Sequence, residues 1–409
     1  MKQPSALVDS RINNTIAYGW LLILSIILVA ANQRAPITSV GPLIGDIRES
    51  TGLTNAVAGM LTTVPLLAFA LMSPFAPKLA RRYGMERVIF TALIVLLIGS
   101  VCRSLSWTST LFVGTILIGS GISVLNVLVP SLVKRDFSSK IGLMTGVYSV
   151  SMNLCGALAS GISIPLASTG LGWRGALICW CLLTLVAILS WGPRLRSSKH
   201  AVTTSAVRSG GQKEINFWKS RLAWQVTAFM GLQSIIFYML AAWLPEILIS
   251  RGMAADTSGW MLSLMQFAML PFTFLVPIIA SRMSNQRWLV VITVVLFLIG
   301  AGGLFLDNNN LVPLWSIVIG IGGAFAFGLA MIFFSLRTRN AQEAAELSGM
   351  AQTVGYILAA IGPMLFGWLH DLTHHWTVPL LSIVAAIVFL FFAGLGAARN
   401  RYVSTESRA

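Results

Sequence analysis

Charged residues are scarce in this sequence, and the scarcity decides its class. Only 10% of its 409 residues are charged and 56% are hydrophobic, whereas an average soluble domain carries roughly 25% charged residues. A water-soluble fold of this length would lack the charge that normally covers a surface. Apolar runs, each near the roughly 20 residues that cross a bilayer as a helix, predict an all-α membrane protein. The twelve runs cover 16–44, 55–76, 87–105, 109–132, 141–167, 173–192, 221–245, 258–280, 288–306, 311–336, 348–369 and 377–397.

The sequence patterns of common enzymes and metal sites are also missing. There is no Gly-x-x-x-x-Gly-Lys-Ser/Thr phosphate loop, so the chain is expected to carry no ATP motor of its own. The four cysteines form no Cys-x-x-Cys pair and lie inside apolar runs, which favours buried thiols. The four histidines lack metal-ligand spacing with them. We therefore expect no enzymatic activity, no cofactor and no metal.

Carboxylates are missing from the predicted membrane interior. All thirteen Asp and Glu residues fall in loops, tails or span ends. Many proton-coupled carriers use a buried acid as the proton site. The sequence therefore argues against a dedicated carboxylate proton site in this chain.

Positive charge is abundant, but it lies in short clusters between the apolar runs. With the N-terminus in the cytoplasm, 23 of the 28 Lys and Arg residues fall in cytoplasmic segments, and four, Arg48, Arg103, Arg174 and Arg251, fall in outer loops. This positive-inside bias predicts a multi-pass protein of a bacterial inner membrane with both termini in the cytoplasm. It also explains the net charge of +15 without nucleic acid. The expected partners are the lipid bilayer and a small solute, and the expected state is a monomer.

The sequence shows signs of an internal duplication. Pro77, Ala80, Arg82 and Arg87 recur 200 residues later as Pro277, Ala280, Arg282 and Arg287. Arg135 matches Arg337 and Gly146 matches Gly349 at similar offsets. Two parallel six-helix repeats with a site between them are typical of secondary transporters. We predict an N-terminal bundle over 1–192, a cytoplasmic linker loop over 193–220 and a C-terminal bundle over 221–409.

One charge lies inside a predicted span. Arg34 follows Asn32 and Gln33 in the first run, well away from the next charge, Asp46. The side chain either snorkels to the outer interface or is a fixed positive charge in a water-filled cavity, and we favour the cavity. Arginine stays protonated and binds anions or strong acceptors bidentately. Further polar residues deep in the spans predict the rest of the lining: Asn126, Tyr148, Asn153, Gln233, Tyr238, Gln266, Gln352 and Tyr356, with Phe325 and Phe327 as aromatic walls.

These features resemble the major facilitator superfamily over essentially the whole chain. The loop after the second run, residues 77–87, is similar to that family's Gly-x-x-x-Asp-Arg-x-Gly-Arg-Arg motif. Pro77 stands at the first Gly position and Arg81 at the Asp position. The resemblance implies a gating loop containing Arg82, Gly84 and Arg87, without the usual Asp ion pair.

Within that superfamily, the chain is similar to the cyanate permease and 2-nitroimidazole exporter family, and more to its exporter branch. The residues that carry this resemblance are Arg34-x-Pro36-x-Thr38, 61–71, 126–137, Trp243-Leu244-Pro245 and 347–356. The resemblance implies alternating-access transport of a small anion or a polar nitro-heterocycle. From the polar residues inside the spans we predict binding of the solute by Arg34, Asn32, Gln33, Asn126, Gln233, Gln352 and Tyr356.

Three alternatives stay open at this point. The solute could be another small organic anion or a drug. A channel would show pore-lining symmetry and no large conformational cycle. A membrane-embedded enzyme would show clustered His or acidic residues at a membrane face, and the sequence has no such cluster.

Overall fold

The computed structural model describes residues 20–53, 55–206, 216–306 and 308–406, which form an all-helical bundle. The twelve spanning helices are labelled α1 to α12 in chain order. They are α1 (residues 20–31, continued after a break by Ala35–Thr38), α2 (Asn55–Met72), α3 (Met85–Arg103), α4 (Thr108–Asp136), α5 (Ile141–Leu166), α6 (Gly172–Ala206), α7 (Arg221–Ser250), α8 (Ala255–Arg282), α9 (Arg287–Gly303), α10 (Val312–Leu336), α11 (Ala341–Thr373) and α12 (Thr377–Ala397).

The predicted fold class is confirmed, because each apolar run overlaps one of these helices. Two spans are less regular than the rest. The chain of α2 bends by 52° before it continues as the short helix Phe75–Tyr83. Helix α9 has only 17 residues, which span about 25 Å at 1.5 Å per residue.

Three helices, α1, α6 and α11, differ most from the apolar runs. The first run is broken at residues 32–34, and α6 continues to Ala206, beyond the predicted end at 192. Helix α11 begins seven residues early because Asn340 caps it: the Asn340 side chain accepts a hydrogen bond from the Glu343 N–H at 2.8 Å. The Glu343 carboxylate in turn accepts from the Arg339 N–H at 2.7 Å. Lys2, Arg11, Arg408 and linker residues 207–215 lie outside the described residues.

Two equivalent helix crossings join the N-terminal half, α1–α6, to the C-terminal half, α7–α12. Helix α5 packs against α8, where a Cβ on Gly146 would lie 2.6 Å from the Phe274 carbonyl oxygen. Helix α2 packs against α11, where a Cβ on Gly349 would lie 3.1 Å from the Ser73 carbonyl oxygen. Small residues let the backbones approach closely, so the halves are in tight contact at these crossings.

Both crossings lie towards the end of the bundle that carries residues 78–87, 134–140, 282–287 and 337–339, here called the basic end. Lys134 of α4 donates to the backbone carbonyls of Ser335 and Thr338, at the C-terminus of α10. Arg81, in the short helix that follows α2, forms an ion pair with Glu346 of α11, with 3.6 Å between Nη1 and Oε1. The two halves are therefore held together at the basic end.

Candidate functional site

The break in α1 determines where the central charge lies. Pro36 has no N–H to give to the preceding turn and its ring crowds that turn, which favours a helix that begins at Pro36 over one that continues through it. Residues 32–34 form a turn, and the Arg34 carbonyl accepts from the N–H groups of Ile37 and Thr38, both at 3.0 Å. Arg34 is thus the N-cap residue of the short helix Ala35–Thr38. Discontinuous helices of this kind commonly form transporter binding sites.

Three contacts hold the segment after the break in place. The Thr38 hydroxyl donates to the Gly156 carbonyl at 2.8 Å, and a Cβ on Gly156 would lie 3.0 Å from the Arg34 Cβ. Arg103, at the end of α3, donates from Nη1 to the Pro36 carbonyl at 2.5 Å. Arg103 is only 1% exposed, although the sequence placed it in an outer loop. A buried guanidinium therefore supports the segment that carries Arg34.

Arg34 lines two cavities between the halves, of about 120 and 60 Å³. The two cavities share Arg34, Tyr238, Phe327 and Tyr356. Polar side chains of the larger cavity are Gln33, Arg34, Asn126, Tyr148, Tyr238, Gln352 and Tyr356. Those of the smaller are Arg34, Thr38, Asn153, Gln233, Ser234, Tyr238, Gln266 and Tyr356. Both halves contribute to each cavity.

The Arg34 charge faces this space without an acidic partner. Within the described ranges, no carboxylate forms an ion pair with Arg34. Its Cζ lies 6.0 Å from the centroid of the Phe237 ring, near the outer limit for a cation–π contact. Acceptor oxygens of a solute could therefore occupy a guanidinium that no carboxylate of the described residues neutralises.

A hydrogen-bonded group connects the two halves beside the larger cavity. Gln352 Nε2 donates to the Asn126 carbonyl at 2.9 Å and to the Ser348 hydroxyl at 2.8 Å. Asn126 Nδ2 donates to the Tyr356 hydroxyl at 3.3 Å. The Tyr356 ring packs on Phe69, with centroids 4.7 Å apart. Groups from α2, α4 and α11 thus meet at one wall of the cavity.

Six of the seven binding residues predicted from the sequence line the cavities, and Asn32 does not. Gln33 lines the larger cavity, whereas Gln233 lines the smaller one and donates to the Ser234 hydroxyl at 2.7 Å. Asn32 is fully buried, and its side chain bonds the Leu28 and Leu183 carbonyls and accepts from the Thr184 hydroxyl at 2.6 Å. Its amide is directed at α6.

The predicted gating residues lie in the connection between α2 and α3. Gly84 has a φ of +87°, which glycine adopts without the steric penalty of a side chain, and this lets α3 begin directly after the short helix Phe75–Tyr83. Arg82 and Arg87 are exposed, and the Arg82 Cζ lies 5.2 Å from the Tyr83 ring centroid. Instead, Arg81 forms an ion pair with Glu346 of the other half. Arg81 stands where the family motif has Asp, so the charge at this position is opposite to that of the motif.

Aromatic side chains complete the site, and the sequence identified only some of them. Phe327 and Tyr238 line both cavities, as expected, whereas Phe325 packs against Phe272 with centroids 5.9 Å apart. Phe237 was missed, because a single Phe in an apolar span carries no signal of its own. Flat walls around a guanidinium and several amides can hold a planar, acceptor-rich molecule.

Comparison with known proteins identifies the family. The family model of the Major Facilitator Superfamily matches residues 22–363 and 246–404. The chain is 48% identical to the uncharacterized transporter YycB of Bacillus subtilis (strain 168), over 96% of each chain. It is 40% identical to the 2-nitroimidazole transporter of Escherichia coli (strain K12), over 94% of this chain and 96% of that protein. It is 28% identical to the cyanate transport protein CynX of the same organism, over 90% and 95%.

A solved structure shows the same fold. The proton:xylose symporter XylE, bound to 6-bromo-6-deoxy-D-glucose, superimposes with a TM-score of 0.75 over 96% of this chain and 98% of that chain. The sequence identity is 14%, so this likeness concerns the fold alone.

Proposed function

This chain belongs to the Major Facilitator Superfamily of secondary transporters, and from that premise we propose that it carries a small, flat, acceptor-rich solute. The solute would bind between the halves at Arg34 and cross the membrane as the halves rock about the site. The relative with 40% identity is named for 2-nitroimidazole and the one with 28% identity for cyanate. We infer a 2-nitroimidazole-like solute.

The observation that carries this proposal is Arg34, which forms no ion pair with any described carboxylate and lines a cavity with aromatic walls. A planar guanidinium can hold two oxygens of a nitro group or a carboxylate in parallel hydrogen bonds. Phe237, Phe327 and Tyr356 can then cover the faces of a ring. Cyanate would engage the guanidinium but has no ring for these walls, so it is the second candidate.

The membrane placement follows the charge bias. We infer that the basic end faces the cytoplasm in a bacterial inner membrane, with both termini on that side and a single chain as the working unit. The contacts of Lys134, Gly146 and Gly349 join the halves at the basic end. In this arrangement the halves would separate there in the opposite state of the transport cycle.

Counterflow in proteoliposomes tests the function. Vesicles loaded with unlabelled 2-nitroimidazole should transiently accumulate external labelled 2-nitroimidazole, because a carrier exchanges one solute for another without ATP. A channel would show no such trans-stimulation. Cyanate and small carboxylates serve as competitors, and we expect 2-nitroimidazole to compete best. Accumulation no greater than in protein-free vesicles would contradict the proposal, and stronger competition by cyanate would favour the second candidate.

A further inference from the structure

Gln352 is fixed in one orientation by its neighbours. It lines the larger cavity and is only 1% exposed. Its Nε2 donates to the backbone carbonyl of Asn126 at 2.9 Å. A backbone carbonyl can only accept hydrogen bonds, so exchanging the amide oxygen and nitrogen of Gln352 would place two acceptors against each other. The usual ambiguity of a glutamine amide is therefore resolved here.

This orientation leaves an acceptor without a donor. Within the described part of the chain, the Gln352 Oε1 is buried and has no hydrogen-bond partner. Buried side-chain oxygens are nearly always paired with a donor, and the exceptions call for an explanation. Both Nε2 hydrogen bonds, to Asn126 and Ser348, hold the oxygen in place. Gln352 lines the larger cavity, so a solute bound there could supply the missing donor.

Arg34 and Gln352 therefore line the same cavity with opposite hydrogen-bonding capacities. The Arg34 guanidinium has only donors, whereas the free position of Gln352 is an acceptor. We propose that Gln352 is a specificity-determining residue that selects solutes with an N–H or O–H donor in addition to acceptor oxygens. This inference rests on the proposed function and narrows its solute class to planar molecules with a donor and acceptors, such as N–H azoles and hydroxy acids.

A matched pair of ligands tests this role without altering the protein. 2-Nitropyrrole and 2-nitrofuran have similar shapes and the same nitro group, but the ring N–H of the first is an oxygen in the second. We expect the purified protein to bind 2-nitropyrrole at least about tenfold more tightly, because a site built to accept a hydrogen bond rejects an analogue that lacks the donor. Equal affinities for the two would overturn the role of Gln352 while leaving the proposed function intact. If neither these ligands nor 2-nitroimidazole binds, the proposed function itself fails, and this inference falls with it.

The variant Gln352→Met distinguishes a role of Gln352 in ligand recognition from a purely structural role. Methionine has a similar length but neither accepts strongly nor donates, so the affinity ratio of the two ligands should fall to within about twofold of one. A purely structural role would weaken both ligands equally and leave the ratio at its wild-type value, which would contradict the proposal. Gln342→Met, at a position that bonds Glu346 at 3.0 Å outside the cavity, is the matched control and should keep the wild-type ratio. If Gln352→Met fails to fold, the wild-type ratio decides alone.

Discussion

The same position in the two halves of this protein carries different chemistry. Gln33 and Gln233 are related by the offset of 200 residues, and each is followed by a cavity-lining residue, Arg34 in one half and Ser234 in the other. Helix α1 is broken there, whereas α7 runs continuously from Arg221 to Ser250. The Ser234 hydroxyl donates back to the Met230 carbonyl at 2.9 Å. Among the described residues that line the two cavities, the N-terminal half alone contributes a charge, that of Arg34.

At the basic end, too, matching positions of the two halves make different contacts. Arg135 of α4 pairs with Glu86 at 2.5 Å and Asp136 at 2.7 Å. Its counterpart Arg337 bonds the neutral Gln286 side chain and the backbone carbonyls of Ala397 and Ala398. The contacts thus occupy matching positions in the two halves but differ in charge. An ionic contact in one half corresponds to a buried, neutral-acceptor contact in the other.

The largest expected effect comes from truncating these two arginines. Arg337 is 2% exposed, so Arg337→Ala would leave three buried acceptors without their donor and should cost about 3 kcal/mol or more of stability. The Arg135 side chain is 39% exposed, and Asp136 keeps its partner Arg194. We expect Arg135→Ala to cost about 1–2 kcal/mol. Thermal unfolding in detergent measures both, and equal losses would contradict the distinction between the halves.

A smaller effect is expected from methyl groups at the two helix crossings. A Cβ on Gly146 would meet the Phe274 carbonyl oxygen at 2.6 Å, whereas one on Gly349 would meet Pro77 Cγ at 3.0 Å and the Ser73 carbonyl oxygen at 3.1 Å, which are milder contacts. The first contact forces backbones apart, so Gly146→Ala should shift the population away from the state closed at the basic end, by about tenfold. Gly349→Ala should shift it by less than about threefold. Ser281 of α8 lies against Gly142 of α5 at this crossing, so a cysteine there becomes more accessible when the halves separate. The alkylation rate of Ser281→Cys, in a background without native cysteines, therefore measures the opening. A larger rate increase for Gly349→Ala would refute the ranking.

The smallest effect concerns the ion pair across the halves. Arg81 and Glu346 side chains are 46% and 26% exposed, and exposed pairs contribute at most about 1 kcal/mol. The equivalent position in the other half, Ser281, has no charge. A double-mutant cycle with Arg81→Ala and Glu346→Gln should therefore give a coupling energy below about 1 kcal/mol that falls further at high salt. A larger, salt-independent coupling would make this pair a principal gate contact.

The sequence predicted most of the fold because hydrophobic length is a local property. It placed Arg34 in a cavity, but it read the first run as one helix, since the support from Arg103 to the Pro36 carbonyl is a tertiary contact. Once α1 breaks, the direction of Asn32 cannot be derived from helical spacing. Asn340 and Glu343 are a sequence signal for the early start of α11, but a search for apolar runs does not detect a polar N-cap.

The partners of buried charges were the least predictable part. Arg103 was assigned to an outer loop because it lies at the end of the third run, 87–105, whereas it is buried against the segment that follows Arg34. Gln352 was expected in the lining, but its fixed amide depends on a backbone carbonyl 226 residues away in the chain. Such contacts depend on how the helices pack against one another in three dimensions, and the hydrophobic periodicity of a single helix carries no information on this packing.

The central claim is that Arg34 holds the acceptor oxygens of the solute, and the affinity of Arg34 variants for 2-nitroimidazole tests it most directly. Arg34→Ala should weaken binding by about 10- to 100-fold, as expected for the loss of charge-assisted hydrogen bonds. Arg34→Lys keeps the charge but loses the planar fork, and should recover little of that loss. Arg174→Ala, which removes a charge beside Trp173 away from both cavities, is the matched control and should bind as the wild type does. Near-normal binding by Arg34→Ala at matched folding would remove Arg34 from the site, and full recovery by Arg34→Lys would show that charge alone suffices.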